Sequence, residues 1–323
     1  MPSDLVQNGS VCDIEKELQA FDESKAGVKG LVDAGIIKTP TFFVVLESEV
    51  SCQPSPAHFH IPVIDLKGIH EDDVRRREIV EQMCNASETW GFFQVVNHGI
   101  SKNVMEGMVR GVKGFHEEKN EVKMEYYTRD TKKKALQILK NIQKSADLPV
   151  QCPDCQPAVE SASCFSECRC NREIEIKYSA YIKRLGGTLL ELLSEALGLE
   201  RNHLTEIGCA KGLPIMILTS CLPFCKTILA ASMYFHQDHW VDVPPIAGAF
   251  VVIIGDLLQA NHIGPRISVA SFFALYDWIC APLKELISDE NPLYKEVPLK
   301  DYIVQYRWKE RDGDISTLDR FRL

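Results

Sequence analysis

The chain has 323 residues, of which 45% are apolar and 25% are charged, a composition typical of a soluble globular protein. Its formal net charge of −9 disfavours binding to nucleic acid or to an anionic membrane surface. No apolar run reaches the length of a membrane span, and the N-terminal stretch lacks the apolar core of a signal peptide. We therefore expect a monomeric, cytoplasmic protein with no nucleic-acid or membrane partner.

The first part of the chain predicts an arm followed by alternating helices and strands. The arm, residues 1–56, contains a helix-like stretch over 21–36 that glycines interrupt. Residues 57–134 form a second region, in which the patterns predict a strand over 61–66, a helix over 72–90, a strand over 91–96 and a helix over 101–126. The apolar positions expected on the buried side of the 72–90 helix are Val74, Ile79, Val80, Met83 and Ala86.

Residues 135–172 form an atypical cysteine-rich insert, because they show neither the period of a strand nor that of a helix. Cysteines in a reducing compartment are free thiols or metal ligands rather than disulfides. Cys152 and Cys155 form a CxxC pair, which together with two of Cys164, Cys168 and Cys170 would supply a zinc site. The alternative is a set of unstructured, reactive thiols.

Residues 173–323 predict a truncated core and a C-terminal tail. A helix is expected over 178–199, ending near Gly198, since glycine commonly terminates helices. Two β-rich runs, 249–254 and 267–273, predict buried strands.

Several stretches together resemble plant 2-oxoglutarate-dependent, non-haem iron dioxygenases, and in particular the 1-aminocyclopropane-1-carboxylate oxidase homologues. They include ASETWGFFQVVNHGI (86–100), WVDVPPIAGAFVVIIGDLLQ (240–259) and NHIGPRISVASFF (261–273), in the family's order. The resemblance implies an α+β fold with a distorted double-stranded β-helix (jelly-roll) core, here incomplete, and helices packed around it. It also implies Fe(II) and 2-oxoglutarate as cofactors, with ascorbate as an optional third, and a small organic metabolite of plant secondary metabolism as the substrate. That substrate would be oxidised with O₂, giving succinate and CO₂.

The resemblance assigns the cosubstrate site to Arg266 and Ser268. The sequence Arg266-Ile-Ser268 matches the family's RxS motif, which binds the far carboxylate of 2-oxoglutarate. Two residues that are two apart on a strand face the same way, and a guanidinium can bind a carboxylate through two hydrogen bonds. An ordinary solvated or ion-paired arginine is the alternative interpretation.

The sequence offers an incomplete set of ligands for a metal site. His236 and Asp238 form the HxD pair that this chain offers for a 2-His-1-carboxylate site. Their neighbours match the loop that follows the iron-binding strand in the family, and the stretch that carries the distal histidine is absent between Gln259 and Arg266. His262 is the remaining candidate for a third ligand. Permitted codons for residues 216–232, read in a shifted frame, give DSDFLSAFLQDHIGGL, which resembles the missing family segment.

Three hypotheses therefore stay open. The first is an active dioxygenase with an improvised triad of His236, Asp238 and His262, and we assign no further catalytic residue. The second is a catalytically inactive relative, or a mis-spliced or frame-shifted product, that lacks the iron site, leaves strand edges unpaired and dissolves poorly. The third is a zinc-binding module that uses Cys152 and Cys155.

Overall fold

The computed structural model describes part of the chain. The described residues are 11–25, 30–31, 33–35, 40, 59–119, 121, 169–209, 214–221, 232–236, 239–254, 259–260, 266–273, 279–286, 294–299, 301–302, 305 and 318–323. The predictions for residues 135–168 therefore lie outside the described residues. None of the helices in the described ranges is both long and apolar enough to cross a membrane.

The described residues form a mixed α and β structure, as predicted. The helices are α1 (Val11–Ser24), α2 (Asp73–Thr89), α3 (Lys102–Glu117), α4 (Arg169–Ala196) and the single turn α5 (His203–Glu206). The strands are β1 (Val63–Asp65), β2 (Phe92–Val96), β3 (Pro214–Cys221), β4 (Ser232–His236), β5 (His239–Val243), β6 (Phe250–Ile253), β7 (Gln259–Ala260), β8 (Arg266–Phe273), β9 (Ile279–Cys280) and β10 (Val297–Pro298). Two short 3₁₀ helices cover Lys284–Leu286 and Leu318–Phe321.

The described strands pair into four small sheets. One has the order β1-β2-β6, with β1 parallel and β6 antiparallel to β2. The second joins β3 to β8, the third has the order β5-β4-β7, and the fourth joins β9 to β10, all through antiparallel pairs. The β2–β6 pairing links the N-terminal region to the C-terminal part of the chain.

The hydrophobic core lies where α2, α3 and α4 pack around β1 and β2. Its fully buried side chains come from all five elements, and they include Ile64, Ile79, Met83, Phe93, Val95, Met108, Val112 and Leu192. Phe92 to Val95 are buried on successive positions, which is the pattern of a strand covered on both faces. The helices therefore pack against a strand whose side chains are buried on both faces.

Helix α2 confirms the helix predicted over 72–90, with one correction to its buried side. Asp72 is the N-cap, and its carboxylate accepts a hydrogen bond of 2.8 Å from the backbone N–H of Val74. Ile79, Met83 and Ala86 are buried as expected. The prediction for Val74 is wrong, because this side chain is 55% exposed: it lies in the first turn of the helix, away from the packed surface.

A buried arginine joins α2 to α4. The Arg76 side chain is only 6% exposed, and its Nε donates to both carboxylate oxygens of Glu195 at 2.9 and 3.2 Å. Its Nη2 donates to Glu195 as well and to Glu191 at 3.2 Å. Arg201, which is half exposed, also pairs with both glutamates. The charge of Arg76 is therefore compensated by two carboxylates as it leaves water.

Helix α4 is longer than the helix predicted over 178–199. It begins at Arg169, because residues 169–177 contribute good helix formers such as arginine, glutamate and lysine. Its last turn is followed by Gly198 at a φ of +73°, the left-handed conformation that terminates helices. Ser194, buried near this end, accepts a hydrogen bond of 3.2 Å from the N–H of Leu204 and donates one of 2.8 Å to the carbonyl of Leu190.

The turn after β2 is structural, as the sequence predicts for Asn97-His98-Gly99. The Nδ1 of His98 accepts a hydrogen bond from the N–H of Ile100 at 3.2 Å, so that Nε2 carries the proton. That Nε2 donates to the carbonyl of Gly248 at 2.7 Å, and the ring packs edge-on against Phe250. His98 therefore connects the N-terminal region to the loop before β6.

The same turn constrains a carboxylate at the end of β1. The Nδ2 of Asn97, a residue with a φ of +53°, donates to Asp65 at 2.7 Å. The backbone N–H of Lys67 donates to the same oxygen of Asp65 at 2.9 Å. These hydrogen bonds stabilise the ionised form, so the Asn97 amide and then the Lys67 N–H lower the pKa of the Asp65 carboxyl below its usual value.

Candidate functional site

The strand that carries the predicted cosubstrate residues is continuous. β8 begins at Arg266 and pairs antiparallel with β3 along its entire length. Arg266 is opposite Cys221, and Ser268 is opposite Thr219. The two residues occupy positions two apart on one strand, which is the arrangement that the sequence argument for a shared face requires.

The first residue of the predicted metal pair lies at the end of a strand. β4 ends at His236 and β5 begins at His239, and these two residues are the last pair of the ladder. Asp238 and His262 both lie outside the described residues, so the assignment of His236 and Asp238 stays a prediction.

Among the described residues, no group of three His, Cys, Asp or Glu side chains is placed to hold a metal ion. A 2-His-1-carboxylate site needs three such side chains converging on one point. Because Asp238 and His262 lie outside the described residues, the proposed triad stays a prediction, and we derive no catalytic step through iron.

Three cysteines within the described ranges are free, namely Cys84, Cys209 and Cys280. Burial raises the pKa of each thiol above its ordinary value. Thiols of this kind stay protonated near neutral pH, whereas nucleophiles and metal ligands need the thiolate. Of the cysteines considered for zinc, Cys170 lies in α4 and the other four lie outside the described residues.

Comparison with known proteins decides the family. The family model described as the N-terminal region of non-haem dioxygenases in morphine synthesis matches residues 61–151. Deacetoxyvindoline 4-hydroxylase from Catharanthus roseus is 39% identical over 363 residues, with 95% of this chain and 89% of that protein covered. This chain belongs to the 2-oxoglutarate- and Fe(II)-dependent dioxygenase family. 1-Aminocyclopropane-1-carboxylate oxidase homolog 1 from Arabidopsis thaliana, also a similar relative, is 37% identical, covering 93% of this chain and 94% of its own.

The fold agrees with membership of the dioxygenase family. The crystal structure of JOX2 in complex with 2OG, Fe and JA superimposes with a TM-score of 0.58 at 22% identity, covering 94% of this chain and 97% of JOX2. The chain therefore has the fold of 2-oxoglutarate/Fe(II) oxygenases, whose core is a jelly roll.

This dioxygenase is shorter than its relatives within the matched region. The alignment with the Catharanthus hydroxylase runs over 363 positions, although the chain has only 323 residues, so at least 40 positions of the alignment have no residue from this chain. The sequence lacks segments that the family has, and their absence predicts unmatched positions in such an alignment. The family match over 95% of the chain favours an oxygenase over a separate zinc-binding module.

Proposed function

We propose that this chain is a 2-oxoglutarate-binding oxygenase that acts on a small organic metabolite, with Arg266 and Ser268 as its cosubstrate site. The observation that carries the proposal is the register of β8, which starts at Arg266 and is held by β3 over eight consecutive pairs. The family to which the chain belongs uses 2-oxoglutarate and Fe(II), and its members act on small molecules.

The chemistry of the two residues suits a carboxylate. A guanidinium offers a planar set of donors that can bind both oxygens of a carboxylate, and a serine hydroxyl two residues along the strand adds a further hydrogen bond. A strand fixed along one edge limits the movement of both positions, which reduces the ordering cost of binding.

We further propose that the protein is a cytoplasmic monomer. It is expected to have no nucleic-acid or membrane partner, because its net charge is −9.

Titration of the full chain with 2-oxoglutarate tests the cosubstrate site. Arg266→Ala should weaken binding by roughly 30-fold or more, because truncating one partner of a hydrogen-bonded charge pair costs at least about 2 kcal/mol. Ser268→Ala should weaken it less. Arg110→Ala is the matched control, since the Arg110 side chain is 72% exposed on α3. Equal affinity of Arg266→Ala and the unmodified chain, with both folded by circular dichroism, would overturn the assignment.

The proposed metal pair, His236 and Asp238, needs its own experiment. Iron content and 2-oxoglutarate-dependent succinate formation, with ascorbate present, should be measured for the full chain and for His236→Ala. His60→Ala serves as the control, because His60 is exposed in the segment before β1. Loss of both iron and succinate in His236→Ala alone supports the pair. Iron retained by His236→Ala would reject it while leaving the cosubstrate assignment intact.

A further inference from the structure

A cavity lies where two helices and one strand meet, and none of the residues considered for cosubstrate or metal is among its described lining. Its volume is about 140 Å³. The side chains that line it come from α3, α4 and β6, and they are Met105, Met108, Val109, Tyr178 and Phe250. Three of them are spaced i, i+3 and i+4 along α3, so one face of that helix forms a continuous wall.

The walls belong to the packed core of the molecule. Met108 is fully buried and Tyr178 is 4% exposed, whereas Met105, Val109 and Phe250 are partly buried. The spacing of the two helices is fixed beside the cavity at Gly107, where an added Cβ would lie only 2.8 Å from the side chain of Ile174. The helices therefore cannot simply move together to close the space without repacking the core.

The lining determines what kind of molecule fits. The five described side chains carry no formal charge, so they offer an ionised ligand no partner in exchange for the hydration that it would lose. The rings of Tyr178 and Phe250 have centroids 6.4 Å apart and are tilted by 50°, an arrangement that offers ring faces and edges to a third ring. The two methionine sulfurs add polarisable contacts that favour aromatic groups.

We propose that this cavity binds a neutral molecule the size of a single aromatic ring. Its volume of about 140 Å³ is of the size that one benzene ring needs, and the cavity is half open to solvent. The inference stands apart from the proposed function, because none of the lining residues is on β8 or β4. Binding is therefore expected with or without 2-oxoglutarate.

Benzene and benzoate form a discriminating pair of probes, since they share a ring and differ in charge. Ligand-observed NMR on the full chain should show saturable benzene binding and at least tenfold weaker binding of benzoate. Val109→Phe should fill the cavity and weaken benzene binding at least tenfold. Val74→Phe is the matched control, because it adds the same ring at a side chain that is 55% exposed. Met105→Phe is a second filling variant if Val109→Phe does not fold.

Three results would overturn the proposal. One is the absence of saturable benzene binding to the folded chain. Another is benzoate binding as tightly as benzene, which would point to a charged site elsewhere. The third is unchanged benzene affinity in a folded filling variant, which would show that the ring binds outside the cavity.

Discussion

Two glycines of α3 give a matched pair of substitutions that tests how closely α3 and α4 pack. At Gly107, a Cβ would meet Cδ1 and Cγ1 of Ile174, both at 2.8 Å. At Gly114, seven residues along the same helix, nothing lies within 4 Å of the added atom. Neither glycine has a positive φ, so alanine is compatible with the backbone at both positions.

The structure sets the sign and size of the two effects. Alanine in place of an exposed helical glycine stabilises by about 0.5–1 kcal/mol, and this is the expected gain for Gly114→Ala. The same gain applies to Gly107→Ala, but ordinary carbon contacts begin near 3.4 Å, so two atoms of Ile174 must move. Overpacking of this kind costs about 1–3 kcal/mol. We therefore expect Gly107→Ala to destabilise by about 1 kcal/mol, leaving the two variants about 2 kcal/mol apart.

Urea unfolding followed by circular dichroism measures the difference, provided that the slope of the transition is unchanged between variants. Adding Ile174→Ala to Gly107→Ala should remove the clash, so the two substitutions together should cost less than the sum of their separate effects. The reasoning is refuted if Gly107→Ala stabilises the chain as much as Gly114→Ala does, because the helices would then have room for the added atom.

Three other contacts give predictions that stability measurements can check. Arg76→Ala should cost about 2 kcal/mol, because it removes charge-assisted hydrogen bonds to two partly exposed carboxylates that Arg201 still pairs with, whereas Arg77→Ala on the exposed side of α2 should change stability by less than about 0.5 kcal/mol. Ser194→Ala should cost about 1–2 kcal/mol, since a backbone N–H loses its acceptor. Asp65 has a lowered pKa when folded, so it stabilises the protein above its unfolded pKa and this contribution is lost as the pH falls through the folded pKa. The stability difference between the unmodified chain and Asp65→Asn should accordingly shrink only below about pH 4, and it should stay under about 1 kcal/mol because the carboxylate is close to solvent.

Much of the N-terminal region could be predicted because its signals are local. The helix at 72–90 has apolar positions at helical spacing and a capping aspartate, and both features act within a few residues. The buried Arg76 could not be predicted in the same way, because its partners lie on α4, more than a hundred residues further along the chain. Helix α1 begins ten residues before the helix-like stretch predicted over 21–36 in the N-terminal arm, and it ends at Ser24.

The candidate sites also differ in whether their sequence signals are local or come from distant parts of the chain. Arg266 and Ser268 were assigned because they match the family's RxS motif, and the structure has a strand at these positions. Their role stays a prediction. His236 is the last residue of β4, and Asp238 lies outside the described residues, so the metal pair stays a prediction as well. The cavity had only one sequence signal, the stripe on α3, and a stripe of that kind ordinarily indicates core packing. Its other walls come from α4 and β6, which only the fold brings together.

The pairing of β3 with β8 separates the requirements of a β-sheet from the requirements of a metal site. Residues 216–232 do not resemble the family at these positions, and β3 includes the first six of them. Among the described residues, β3 pairs with one edge of β8 at eight positions, from Pro214 opposite Phe273 to Cys221 opposite Arg266. The ladder depends on backbone N–H and C=O groups, which nearly every residue type supplies. Metal binding depends on particular side chains in fixed positions. Because a strand ladder tolerates a change of residue type and a metal site does not, we expect the chain to keep its affinity for 2-oxoglutarate more readily than its affinity for iron.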